Sequence, residues 1–164
     1  MGLLSLISVA AQCAAILLMA WVAWYDVRHY AIRNKIVLAM LALYFVAQGA
    51  LFFPNWRPDL VAGGILFGIG LVMWLMRGLG AGDAKLMFPL GLHLSYVGLL
   101  PFSFLLLIVS VLLFVAIQLA FRLGATSGLG GWLARMKTSR RVPYGLVLAV
   151  AAIPVLTLRV IWGS

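Results

Sequence analysis

Acidic residues are almost missing from this chain. Of its 164 residues only Asp26, Asp59 and Asp83 carry a carboxylate. Charged residues of every kind make up 9%, while 66% are hydrophobic. A soluble domain carries about a quarter charged residues, so a single water-soluble core is excluded. Cysteine is as scarce. Cys13 stands alone, which excludes a disulfide within the chain and a cysteine-based zinc site. It lies in an apolar run and reads as a small packing residue. The glycine-rich stretch Gly78-Leu-Gly-Ala-Gly-Asp83-Ala-Lys85 is followed by no Gly-Lys-Ser/Thr. It also lacks dinucleotide-fingerprint spacing, so neither nucleotide-binding loop is present. The opening MGLLSLISVAAQ lacks the basic start of a cleaved signal peptide. The first apolar run is therefore expected to be kept as a span.

What the chain does have is long apolar runs. They cover residues 3–24, 36–53, 60–76, a short run from Leu86 interrupted near His93, 97–121 and 144–162. About 20 such residues span a bilayer. The pattern predicts an all-α, polytopic membrane protein with six transmembrane helices. The whole chain, 1–164, reads as a single transmembrane domain with no internal repeat. Pro54 and Pro58 bracket a tight loop, and a glycine-rich, basic loop is expected over 122–141.

The net charge of +9 follows the same map. With loops alternating from an outer N-terminus, ten basic residues fall inside: Arg28, Arg33, Lys35, Arg77, Lys85, Arg122, Arg135, Lys137, Arg140 and Arg141. Only Arg57 and Arg159 fall outside. Lys and Arg collect on the cytoplasmic side, so the expected topology is N-out and C-out in a cell inner membrane. The basic balance reflects orientation and contact with anionic membrane lipid rather than nucleic acid. Trp21, Trp24, Trp56 and Trp162 sit near span ends, as interfacial aromatics do.

Each acid would cost about 3 kcal/mol at the centre of an inserted helix, so acid positions carry information. Asp26 closes the first span and Asp83 lies just before the fourth. Two crossings separate them, so both reach the cytoplasmic face. Asp59 lies on the opposite face, follows Pro58 and is expected to cap a helix. Two carboxylates meeting in a partly dry site share a proton. The ionised partner can then deprotonate water while the protonated one polarises a carbonyl. The glycines before Asp83 permit a bend and close backbone approach. A flexible loop with one solvated Asp is the plainer reading of that stretch.

Taken together, these residues resemble the type IV prepilin peptidases. Gly80-Ala-Gly82-Asp83-Ala-Lys85-Leu86 is similar to that family's Gly-x-Gly-Asp motif. Asp26-Val27-Arg28 followed by Ile32-Arg33-Asn34 resembles its Asp-aliphatic-Arg and Ile-Pro-Asn segment, with Arg33 standing where the family often has Pro. Pro143-Tyr144-Gly145 resembles the start of its last span. The resemblance implies Asp26 and Asp83 as the catalytic pair, with Gly80, Gly82 and Lys85 in a substrate-admitting loop. It implies no cofactor and no metal. The substrate would be prepilin-like, a basic leader joined to an apolar helix, with Gly before the cut. Larger members carry paired Cys-x-x-Cys motifs and methylate the new N-terminus. With one Cys, this chain resembles the short, peptidase-only members that serve Flp or tight-adherence pili.

Other readings stay open at this point. A preflagellin- or presenilin-type Gly-x-Gly-Asp protease would use the same pair. A proton-coupled transporter or small channel would relay protons through it, though such relays place ionisable groups near mid-membrane. A non-enzymatic assembly subunit is the third. His29 reads as a solvated loop residue and His93 as no metal ligand. Gly63, Gly64, Gly68 and Gly70 are expected to permit close helix packing. Gln12, Gln48 and Gln118 are expected to bond between helices.

Overall fold

Six helices follow one another in a computed structural model that describes residues 2–124, 126–139 and 142–162. They are α1 (Leu3–His29), α2 (Asn34–Gly49), α3 (Trp56–Leu75), α4 (Ala81–Arg122), α5 (Gly128–Ser139) and α6 (Tyr144–Trp162). No strand occurs among the described residues. Four helices, α1, α3, α4 and α6, are long and apolar enough to cross a membrane, and α2 is a shorter apolar helix. Water cannot satisfy backbone groups inside a bilayer, and a helix satisfies its own.

The 42 residues of α4 are two limbs. Ser95, at φ 55 and ψ 175, breaks the helix. The limb over 81–94 is the expected short fourth run, started earlier by Gly80 as N-cap. The limb over 96–122 is the expected fifth. Large apolar side chains such as Leu107, Leu112 and Phe114 stand exposed along it, as befits a lipid-facing surface. The expected loop over 122–141 is part helix instead. Met136 of α5 is fully buried, Lys137 donates to Gln118, and its ammonium sits 4.2 Å from the Phe121 ring centroid. Packing against the end of α4 overrides the poor helix propensity of the glycines. Arg140 and Arg141, counted above as inner charges, lie outside the described residues.

The first limb of α4 is the centre of the bundle. Leu86, Leu90 and Leu94 are fully buried, and α4 packs against α2, α3, α5 and α6. Its contact with α3 is the most extensive in the molecule. Glycines allow it: a methyl on Gly91 would stand 2.7 Å from the Ala62 carbonyl oxygen and from Gly63 Cα. Gly70 packs as closely on Met87 and Ala84. Gly64 and Gly68 do not, because they face open space on the far side of α3. The expectation of close packing therefore holds for two of the four glycines. Helical periodicity turns the other two outward.

At the end of the bundle where α3 begins, polar side chains are buried together. Asp59 is not the expected helix cap. Asn55 occupies the N-cap of α3, and Asp59, in its first turn, is 0% exposed. The Tyr44 hydroxyl donates to Asp59 Oδ2 at 2.8 Å. His93 is buried too, and its Nε2–H donates to the Met40 carbonyl at 3.0 Å, since only a protonated nitrogen can pair with a carbonyl. Arg159 donates to the His93 carbonyl, two residues before the break, and interacts electrostatically with Asp59. Carbonyls beside a break lose their regular helical donors, and Arg159 replaces one. Four helices, α2, α3, α4 and α6, are thereby joined by polar bonds. A cavity of about 390 Å³ adjoins the cluster, lined among others by Ser8, Gln12, Tyr44, Gln48, His93 and Arg159.

Two outcomes follow for detergent-solubilised protein. Gly91→Ala should lower the unfolding temperature clearly and Gly68→Ala should leave it within experimental error. Equal effects would remove the close-packing role of Gly91. Asp59→Ala leaves the buried Tyr44 hydroxyl without its acceptor and removes the carboxylate beside Arg159, and should destabilise by about 2 kcal/mol. Tyr44→Phe should cost about 1 kcal/mol. Wild-type melting of Asp59→Ala would show that the cluster holds nothing together.

Candidate active site

Asp26 lies on the last full turn of α1. The helix ends there because Tyr30 turns left-handed, at φ 50, and its N–H bonds back to the Asp26 carbonyl at 2.8 Å. The Asp26 side chain is 3% exposed. It meets the start of α6, where the Gly145 N–H donates to its Oδ2 at 2.7 Å. The Leu146 N–H also faces the carboxylate. The first amides of a helix have no partner inside it, and its N-terminus carries partial positive charge. A carboxylate is their natural complement. Gly145 makes the approach feasible, since a methyl there would lie 2.9 Å from Oδ2 and 3.0 Å from Cβ and Cγ of Asp26.

Asp83 comes from another helix start. Gly80 is the N-cap of α4 and Asp83 lies in its first turn. Its Oδ2 folds back over Gly80, where a methyl would stand 2.7 Å away. Its Oδ1 is buried with no hydrogen-bond partner among the described residues. Two helix N-termini, of α4 and α6, thus converge with the C-terminal end of α1.

Both aspartates line one cavity of about 410 Å³. Tyr30, Arg77, Gly78, Leu79, Gly80, Val142 and Tyr144 complete its wall. The two carboxyl groups are close enough to repel each other. Tyr30 and Arg77 both have positive φ, 50 and 59, a conformation that non-glycine residues hold only under constraint from their surroundings.

The other expected site residues are placed differently. Gly80 lines the cavity, beside Asp83. The space beside Gly82 is filled: a methyl there would lie 2.8 Å from the Ile32 carbonyl oxygen. Gly82 therefore seats the segment between α1 and α2 against the start of α4. Lys85 turns away from the cavity and donates to Asn34 Oδ1 at 3.3 Å. His29 is exposed, stacks on Tyr25 at a centroid distance of 4.0 Å and does not line the cavity. Asp59 and His93 belong to the opposite end of the bundle. No group of three or more His, Cys, Asp or Glu side chains that could hold a metal ion occurs among the described residues.

Sequence reasoning left four members of the site unplaced. Arg77 counted only as a topological charge, and Tyr30 not at all. Tyr144 and Gly145 were visible as part of Pro143-Tyr144-Gly145, but nothing in the sequence said that Gly145 bonds Asp26 or that Tyr144 lines the same cavity. Chemically, the cavity offers two carboxyl groups from different helices, water-sized room between protein walls, and two helix starts that favour negative charge. That set can activate water and polarise a carbonyl.

No curated protein and no solved structure matches the chain significantly. A model described as the type IV leader peptidase family matches residues 13–119, which include both aspartates and Gly80-Ala-Gly82-Asp83. The shared cavity, the aspartate pair and this match over more than half of the chain assign it to the type IV leader peptidase family.

Proposed function

We propose that this protein is a membrane aspartyl endopeptidase that removes the leader from prepilin-like substrates. The observation that carries the reading is the meeting of Asp26 and Asp83 in one cavity. The substrate class is a basic leader followed by an apolar helix. The cut is made at the cytoplasmic face of the inner membrane. The chain crosses that membrane six times, with α4 contributing two spans and both termini outside, as the distribution of Lys and Arg favours. The enzyme is of the peptidase-only kind that serves Flp-type pili, and methylation of the product falls to another enzyme.

The reaction needs only the pair and water. One carboxylate takes a proton from water as the water oxygen bonds to the scissile carbonyl carbon. The other carboxyl group gives its proton to the carbonyl oxygen. The resulting gem-diol returns a hydroxyl proton to the second aspartate as the C–N bond breaks. The first aspartate then passes its proton to the leaving amine, and the pair is back at its starting state. Each proton transfer follows general acid–base rules. The N–H groups at the starts of α4 and α6, which have no acceptor within their own helices, favour the negative charge that the pair carries throughout.

Asp26→Asn and Asp83→Asn should each lower cleavage by about 100-fold or more, with normal protein levels in the membrane. Co-expression with a leader-bearing pilin, read as the ratio of long to short form, measures this. Normal processing by either variant would sink the pair mechanism. Gly82→Val should also reduce processing, by pushing the Ile32 segment away from α4; Gly68→Val, on an open face, should not. Orientation has its own check. Reporter fusions after Lys35 and Lys85 should report cytoplasm and one at Asn55 the outside. The opposite pattern would place the aspartates on the wrong side for a cytoplasmic leader.

A further inference from the structure

We infer that the two aspartates are held in unlike states, Asp26 as carboxylate and Asp83 as acid, and that Gly145 is the positioning residue that sets this difference. The inference rests on the peptidase reading of the site and adds the division of labour within the pair.

The argument starts from hydrogen bonds. Asp26 Oδ2 accepts the Gly145 N–H at 2.7 Å, deep in the protein. A backbone N–H can only donate, so the oxygen it meets is an acceptor, and bonds of this kind are strongest when that oxygen is charged. The bond comes from the first turn of α6, whose dipole favours an anion. Asp83 also stands near backbone N–H groups, those of Gly80 and of itself. Its Oδ1, however, is buried with no partner among the described residues. A charged oxygen in that position would be costly. A protonated Asp83, which lines the cavity, has a group to donate to there, the carbonyl of a bound substrate. Asp26 is then the base that takes the proton from water, and Asp83 the acid that donates to the carbonyl oxygen.

Gly145 permits this because it lacks a side chain. A methyl would lie 2.9 Å from Oδ2 and 3.0 Å from both Cβ and Cγ of Asp26. Real Cβ atoms do not come so close, so the carboxylate must withdraw from the amides of α6. The neighbouring helix start would remain intact, since Ala is a better helix former than Gly. Arg77, which also lines the cavity, is the cation from the α3–α4 connection that faces the same space. Removing it is therefore a comparison for the effect of charge alone.

The test uses full-length protein in liposomes with a purified leader-bearing pilin. Gly145→Ala should lower kcat by about tenfold to hundredfold, with KM little changed. The acid limb of its pH profile should move to higher pH, because a carboxylate that has lost its donor holds its proton longer. Arg77→Gln serves as the charge comparison. A wild-type kcat and pH profile in Gly145→Ala overturns the positioning role. A second measurement needs neither activity nor that variant. Infrared spectra at mildly acidic pH should lose a protonated-carboxyl band in Asp83→Asn and keep it in Asp26→Asn. The reverse pattern overturns the assignment. Failure of the wild-type protein to cut any leader-bearing pilin would instead refute the peptidase reading, while the infrared result would still decide which aspartate holds the proton.

Discussion

The closeness of α3 to the first limb of α4 is the constraint on which the rest of the bundle depends. Gly91 lies against the backbone of Ala62 and Gly63 with no room for a methyl. Once the two helices lie this close, the limb over 81–94 is enclosed by α2, α3 and α6, and its start is fixed in depth and direction. Asp83 sits at that start. Its position is therefore set by packing several turns away, and the loop before it needs no rigidity of its own. Asp26 is placed independently, by the end of α1 and the amides of α6. The cavity that both aspartates line is where these two lines of placement meet.

The second polar cluster has the opposite character. Asp59, Tyr44, His93 and Arg159 are bonded chiefly to one another and to backbone carbonyls. A buried carboxylate held in this way contributes little net stability, yet its bonded partners carry a penalty if it is removed. Its use is to fix which helices are neighbours around the break at Ser95. The chain thus spends its three carboxylates unevenly, two on a cavity and one on a clasp.

Much of this was legible in the residues. The apolar runs marked every long helix, and the interruption near His93 fell within two residues of the break at Ser95. Asp26 and Asp83 could be assigned to one face by counting crossings. Other features were not legible, for physical reasons. Asp59 looked like a cap because Pro58 precedes it, and local sequence carries no trace of Tyr44, fifteen residues earlier. The four glycines of α3 looked alike, although helical geometry gives Gly63 and Gly70 a partner and leaves Gly64 and Gly68 without one. Helix α5 was hidden by its glycines, since its order comes from burial of Met136 and from Lys137 reaching back to α4. The bond from Gly145 to Asp26 spans 119 positions, a distance over which one sequence offers no periodicity to read.

The shortness of the first α4 limb has a consequence for how the proposed peptidase would find its substrate. Residues 81–94 number fourteen, and at 1.5 Å per residue they make about 21 Å of helix. The hydrocarbon layer is about 30 Å thick. In the proposed six-span arrangement, with the Ser95 break at the outer surface, a limb of that length would leave Asp83 beneath the level of the lipid headgroups. A peptide dissolved in the cytoplasm would seldom present a bond at that level. A chain anchored in the same bilayer carries its bond at a fixed height and diffuses in a plane. Selection by height needs little affinity for any particular side chain. One small set of walls could thus serve many leaders that share only their anchor.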